Sequence, residues 1–240
     1  LSTAAVEHGY YQFAGLKAGD YQIKVVAPTY DFTAQDSGVP VVLLRVGRDF
    51  AGDVLILYGD VPFVPTHTMQ AMVDRLNASD APAVVVLAFE PEDVLNYGRV
   101  ICDGDRILKM VEHKDASAEE RACRLCNSGL MAVKAKDLFA LLARVGNQNA
   151  AGEYYLVDIV NIANADGRHC AMVKTDPFDV AGIDSRAELA EMEAQWQQRR
   201  RAQAMADGAT LIAPETVWFS YDTVIGRDVV IEPNVFLAPA

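Results

Sequence analysis

The pattern of apolar and polar positions changes character along the chain. Val54–Tyr58 is a short unbroken apolar run, as expected of a strand buried on both faces, and it ends in Gly59-Asp60-Val61-Pro62. Pro65-Thr66 opens a helical pattern that continues to about Leu76, with Thr66 as its expected cap. Ala83–Phe89 is a second apolar run. Strand, helix and strand in this order predict a βαβ unit and hence a parallel sheet. Arg99–Cys102 and Arg106–Val111 then flank Asp103-Gly104-Asp105, a hairpin signal. Asn127–Lys134 and Ala171–Thr175 read as strands, Asp137–Val145 and Tyr154–Ala165 as helices. Arg186–Ala206 reads as a long charged helix stopped by Gly208. In residues 1–40 the periodicity is weak, and only Gln22–Ala27 suggests a strand.

The last thirty residues follow another rule. Ile225, Ile231 and Leu237 recur at a six-residue step, with Val224, Val230 and Phe236 beside them. That is the period of a hexapeptide β-helix, in which each short strand forms one side of a coil. Two or three such repeats cannot bury their own core, so the solenoid is expected to continue or to pack on something else.

Composition narrows the picture. The 240 residues are half apolar (51%), enough for a packed core. With 21 basic and 33 acidic residues the net charge is −12, which argues against nucleic acid or an anionic membrane as the main partner. No apolar run approaches the ~18–20 residues of a bilayer span, and no signal peptide opens the chain. The first residue is Leu1 rather than Met, so a piece of a longer protein is expected. Four cysteines (Cys102, Cys123, Cys126, Cys170) are too few for a disulfide scaffold. Cys123 and Cys126 have CxxC spacing without two further ligands nearby in sequence, which favours reduced thiols over a zinc site.

Candidate chemistry gathers at strand ends. Asp60 follows a predicted strand, where open α/β sheets bind ligands; it either holds Mg²⁺ against phosphates or caps the turn before Pro62. Glu112-His113-Lys114-Asp115 is either a sugar-binding strand end or a solvated charge cluster. Asn127-Ser128-Gly129 puts an amide in a cleft or makes a turn. Asp184 either caps the long helix or serves as a second metal carboxylate. Arg199-Arg200-Arg201 reads as a solvated helix face. There is no P-loop, GxSxG elbow, HExxH or G-x-G-x-x-G, and the four histidines suggest no triad, so a serine or cysteine hydrolase is unsupported.

Taken in order, Asp53–Pro62, Tyr97–Val100, Ile107–Arg121, Cys126–Gly129, Asn149–Ile159, Ser185–Leu189 and Ala213–Thr216 resemble a known family. It is the bacterial bifunctional N-acetylglucosamine-1-phosphate uridylyltransferase / glucosamine-1-phosphate N-acetyltransferase. The resemblance spans about residues 50–240. It implies an α/β fold: a partial Rossmann-like nucleotidylyltransferase domain (1–185, with 1–40 divergent), a helical linker (186–208), and the start of a left-handed parallel β-helix (209–240). The implied reaction transfers UMP from UTP to N-acetylglucosamine 1-phosphate, giving UDP-N-acetylglucosamine and pyrophosphate in the cytoplasm for cell-wall synthesis. In the full-length family a homotrimer also uses acetyl-CoA and glucosamine 1-phosphate.

The resemblance also assigns residues. Tyr58 and Gly59 are expected to line the nucleotide-sugar, and Asp60 to ligate Mg²⁺. Gly98, Glu112 and Asn127 are expected to meet the N-acetylglucosamine part. Asp184 stands where the family has an Asn as second Mg²⁺ ligand, and it adds negative charge. The family's opening Gly-rich loop, with an Arg and a Lys for the triphosphate, has no match in residues 1–40. Gln35 and Gly38-Val39-Pro40 lack the uracil-reading pattern. Little turnover is therefore expected. A non-catalytic sugar-nucleotide-binding remnant, a monofunctional sugar-1-phosphate nucleotidylyltransferase and a structural hexapeptide subunit remain open alternatives.

Overall fold

The computed structural model describes residues 52–239; the expectations for Gln22–Ala27, Gln35 and Gly38–Pro40 lie outside the described residues. The described chain forms two compact units, one ending at Gly182 and one beginning at Ile183.

The first unit is built on a six-stranded sheet. In chain order its elements are β1 (Asp53–Ile56), α1 (Thr66–Leu76), β2 (Val84–Phe89), β3 (Arg99–Asp103), β4 (Arg106–Val111), α2 (Ala118–Arg121), β5 (Cys126–Lys134), α3 (Ala135–Leu142), α4 (Asp158–Ala165) and β6 (Cys170–Thr175). The order across the sheet is β1-β5-β2-β6-β4-β3, with an added β5–β3 bridge at Arg99 and Cys126. The parallel sheet expected from the strand, helix and strand order is corrected here, while the expected hairpin is found as β3 and β4. β1 and β2 do point the same way, but β5 lies between them and is antiparallel to both. Among the described strands of this sheet only β2 and β6 pair in parallel.

β2 shows why an unbroken apolar run folds as a central strand. Side chains alternate between the faces of a sheet. Val84, Val86 and Ala88 enter one core with α3 and α4, while Val85, Leu87 and Phe89 enter the other with Met69, Met72 and Leu76 of α1. All six residues are buried, so neither parity can be polar. β1 was expected to be equally enclosed, but only Val54 is fully buried there.

Local chemistry sets the boundaries. Gly104 takes φ +61° at the tip of the β3–β4 hairpin. In α1 the cap is Pro65, and Thr66 is the first helical residue without a capping role. α4 begins at Asp158, four residues later than the periodicity predicts. Its Asn161 side chain accepts from the Met110 N–H at 3.0 Å and donates to the Met110 carbonyl at 2.8 Å. Asn164 donates to the Ile107 carbonyl at 3.0 Å. These amides satisfy β4 backbone groups beyond its short pairing with β6.

In the second unit α5 (Arg186–Ala206) precedes β7 (Thr210–Leu211) and β8 (Val230–Ile231). Ser185 caps α5, its Oγ accepting from the Glu188 N–H at 3.1 Å. β7 and β8 pair in parallel, Leu211 with Ile231, and Trp218 bridges Phe236 in parallel. Ile231 is buried, and Ile225 and Leu237 pack beside it on Val217 and Phe219. Val224, Val230 and Phe236 are exposed. The arginine run is not the solvated face expected of it. Arg200 donates to the Thr223 carbonyl at 2.9 Å and lies over the Phe219 ring, and Arg201 donates to the Pro214 carbonyl at 3.1 Å. All four cysteines are free. Burial pushes the Cys102 and Cys170 thiols up to about 11.

One polar cluster fastens the first unit. Arg75 of α1 binds Asp80 and Asp105 at 2.8 Å, and Asp80 also meets His169 at 3.1 Å. The Arg75 hydrogen bond, helped by His169, lowers Asp80 to about 2. A lowered carboxyl pKa contributes stability above its unfolded value and loses it as pH falls toward the folded one. The expected result is that Asp80→Asn lowers the urea midpoint near neutral pH, and that its deficit shrinks between about pH 4 and about pH 2. Urea titrations of both proteins across that range make the check.

Candidate functional site

The site is organised by an irregularity in β5. Residues pair regularly with β2 up to Val86 and Met131, then resume at Ala88 and Asn127, so Ser128, Gly129 and Leu130 of β5 stand against Leu87 alone of β2. This is a bulge, and it removes ladder hydrogen bonds. Side chains replace them: Ser128 Oγ donates to the Leu87 carbonyl at 2.6 Å and accepts from the Leu130 N–H at 3.2 Å. Asn127 Oδ1 accepts from the Gly129 N–H at 2.9 Å. Asn127-Ser128-Gly129 is therefore a bulge inside a strand rather than a turn between elements.

Gly129 is required twice over. Its φ is +83°, and a Cβ there would stand 2.1 Å from Cε2 of Tyr58. The Tyr58 ring thus lies on the bare backbone of the bulge. Tyr58 itself follows β1, and its carbonyl accepts from the Val61 N–H at 3.2 Å, closing the turn that carries Gly59 and Asp60. Burial raises the Tyr58 hydroxyl pKa, and the nearby charges of Glu112 and Asp60 raise it further.

On the other side of Asn127 the backbone reaches Gly98. The Asn127 N–H donates to the Gly98 carbonyl at 2.9 Å. A Cβ on Gly98 would lie 3.1 Å from Glu112 Oε1, so the Glu112 carboxylate rests on the glycine. Five of the expected residues are thus linked: Asp60 lies beside Tyr58, and Gly98 joins Asn127 to Glu112. Gly59 is exposed at the same turn. Ser128, Gly129 and Asp115 were noted only as members of their motifs, with no role of their own, and Asp158 was not singled out; a lone glycine inside a strand pattern is the signal that points to Gly129.

Charge accumulates here. Burial raises the Glu112 carboxyl pKa, and the charges of Asp115 and Asp158 add to it. Burial and Asp115 likewise raise Asp158. Asp184 belongs to the second unit, where it is exposed and its N–H donates to Glu188 Oε2 at 2.7 Å; it does not cap α5. Among the described residues no group of three or more His, Cys, Asp or Glu side chains could hold a metal ion. Asp60 offers a hard carboxylate oxygen, and Oδ2 lies 3.9 Å from where a Cβ of Gly182 would be, so no side chain crowds it from that backbone.

A mixed six-stranded sheet with helices on both faces defines this unit as an α/β domain. No family model matches the chain. Among curated proteins, it is 76% identical over 190 residues to the bifunctional protein GlmU of Sphingopyxis alaskensis, covering 79% of this chain and 42% of that protein. It is 73% identical over 188 residues to the GlmU of Novosphingobium aromaticivorans (78% and 42%), and 57% identical over 190 residues to that of Zymomonas mobilis (79% and 42%). Over the matched residues the chain belongs to the GlmU family, and it spans about two fifths of the length of these relatives. Solved structures with related traces include a CMP:2-keto-3-deoxy-manno-octonic acid synthetase complexed with CTP (TM-score 0.44, 14% identity, 62% of this chain and 63% of that one). Another is a putative glucose-1-phosphate thymidylyltransferase from Bacillus anthracis (TM-score 0.45, 15% identity, 60% and 55%). At these scores the likeness defines neither fold nor ligand.

Gly129→Ala is expected to cost roughly 2–4 kcal/mol of folding stability, combining left-handed strain with an overlap on Tyr58. Urea unfolding measures it, and a loss within the usual surface range would mean that Tyr58 does not lie on this backbone. For Glu112 the sign is opposite. A carboxyl pKa raised in the folded state favours folding at low pH, and that contribution is lost as pH rises through the raised value. Glu112→Gln is thus expected to gain melting temperature relative to the parent as pH rises from the ordinary carboxyl range to neutrality; a constant difference between two such scans would contradict it.

Proposed function

We propose that this chain carries the sugar-nucleotide site of a nucleotidyltransferase that transfers UMP from UTP to N-acetylglucosamine 1-phosphate, releasing pyrophosphate. The observation that carries the reading is the continuous contact from Tyr58 through Gly129, Asn127 and Gly98 to Glu112, with Asp60 beside Tyr58. Asn127 Oδ1 is engaged by Gly129, which leaves its Nδ2 to donate to a ligand. The Glu112 carboxylate accepts from sugar hydroxyls or an acetamido N–H. Tyr58 and the Gly59 backbone flank the nucleotide-sugar.

In the proposed reaction a phosphate oxygen of the sugar phosphate attacks the α-phosphorus of UTP, and the bond to pyrophosphate breaks. The sugar phosphate is itself the nucleophile, so the protein's part is positioning and electrostatics. Mg²⁺, when bound, offsets charge on the phosphates. It takes most of its ligands from water and phosphate and needs only one or two carboxylates, a demand that Asp60 fits. Asp184, the expected second ligand, enters this reading from the family resemblance alone.

The 186–208 helix and the six-residue pattern support a linker leading into a left-handed β-helix. The parallel pairing of Leu211 with Ile231, and of Trp218 with Phe236, adds to that support. A trimeric acetyltransferase using acetyl-CoA and glucosamine 1-phosphate belongs to the reading of the longer relatives. The free cysteines agree with a cytoplasmic setting. Residues 1–40 hold no recognisable triphosphate loop, and turnover of this chain is expected to be slow.

Calorimetry of the whole chain with UTP and with UDP-N-acetylglucosamine, each with Mg²⁺, tests the proposal. Both ligands binding supports the transferase, the sugar nucleotide alone supports a binding remnant, and neither refutes the site. Asn127→Ala is expected to weaken UDP-N-acetylglucosamine by ~0.5–1.5 kcal/mol, the worth of one neutral hydrogen bond. Unchanged affinity would remove Asn127 from the site.

A further inference from the structure

Arg99 is among the most deeply buried side chains of the first unit, 1% exposed, and among the described residues it forms no ion pair. A buried charge is costly unless its donors are used. Here every partner but one is a main-chain carbonyl. Nη1 donates to the carbonyls of Tyr97 and Val94, Nη2 to that of Leu95, and Nε to that of Arg121. The exception is Cys126 Sγ, 3.9 Å from Nη1. Three of these carbonyls belong to the segment immediately before Gly98. A lysine could not replace this arrangement, because its three donors leave one point instead of a planar fork.

The same segment is strained. Leu95 has φ +37°, a conformation a bulky residue keeps only where its surroundings hold it. Asp93 Oδ1 takes its N–H at 3.0 Å, and Arg99 takes its carbonyl at 3.4 Å. The segment ends at Gly98, whose carbonyl is fixed by the Asn127 N–H and whose Cα carries the Glu112 carboxylate. Two residues on, the Val100 N–H donates to the Leu125 carbonyl at 3.0 Å. Gly98 is thus held from the strand side by β5 and from the loop side by a guanidinium.

We infer that Arg99 is a positioning residue for sugar recognition: it sets the 94–97 loop so that Gly98 stands at a fixed height between Glu112 and Asn127. This rests on the proposed sugar-nucleotide site. Arg99 touches no ligand in this scheme. It acts through the backbone, and its loss leaves the nucleotide-facing Tyr58 turn alone.

The test compares UDP-N-acetylglucosamine with UDP, because their affinity ratio isolates the sugar. The whole chain, Arg99→Lys and Arg99→Met are titrated with each ligand in the presence of Mg²⁺, with melting temperatures recorded. Arg99→Lys is expected to weaken UDP-N-acetylglucosamine about tenfold while UDP changes less than about twofold. If Arg99→Met does not fold, Arg99→Lys decides. Adding Leu95→Gly to Arg99→Lys relieves the loop strain and should recover melting temperature without recovering the ratio; recovery of both marks a purely structural role and overturns the inference. An unchanged ratio in Arg99→Lys, or equal weakening of both ligands, also overturns it. Failure of the parent chain to bind either ligand refutes the proposed function and the inference with it, whereas tight parent binding with an indifferent variant refutes only the role of Arg99.

Discussion

The insertion of β5 between β1 and β2 is the constraint on which the first unit depends. Two parallel strands joined through α1 have been parted, and the strand between them runs the other way. Its beginning, rather than its end, therefore lies at the carboxyl end of β2, where Phe89 pairs with Cys126. A bulge at that point bends the strand and would orphan backbone groups in a buried setting. Ser128 and Asn127 replace the missing bonds with their own side chains, and Gly129 supplies the positive φ. The same three residues seat Tyr58 and connect to Gly98, so the repair of a strand defect and the construction of the site are one set of contacts.

The electrostatics of the site run against stability. Burial and the charges of Asp115 and Asp158 raise Glu112, burial and Asp115 raise Asp158, and burial, Glu112 and Asp60 raise Tyr58. A fold under selection for stability alone has no use for such an arrangement. Sugar hydroxyls, an amide N–H and a divalent cation all favour carboxylates. The Arg75–Asp80–Asp105–His169 cluster shows the opposite design, with each carboxylate given its cation.

The second unit depends on a different device. Gln197 of α5 is buried, and its amide clasps Phe219 from both sides, accepting from the N–H at 2.9 Å and donating to the carbonyl at 2.7 Å. Arg200 and Arg201 extend the fastening to Thr223 and Pro214. Long polar side chains on a helix with little apolar character thereby do the packing that an apolar stripe does elsewhere.

Much of the architecture was legible from local pattern. The unbroken run of β2, the Asp-Gly hairpin, the α5 helix with its Gly208 stop and the six-residue step each arise from periodicity or from glycine's backbone freedom, which act over a few residues. Asp60, Glu112 and Asn127 were visible locally only as polar residues near strand ends, each with a turn or solvated reading beside the chemical one; the family resemblance alone grouped them as candidates. The order of strands was not. Whether β2 neighbours β1 or β5 depends on contacts between residues far apart in the chain, such as Val84 with Val133 and Phe89 with Cys126. Nor did the run of Arg199–Arg201 reveal that its second and third members lie against another element, or Arg99 that it is buried on carbonyls. The sequence by itself determined which segments are strands and helices and which residue types stand at their ends. Only tertiary structure decided that a bulge would press Gly129 against Tyr58 and bring Gly98 between Glu112 and Asn127, because those contacts exist only once β5 has closed between its neighbours.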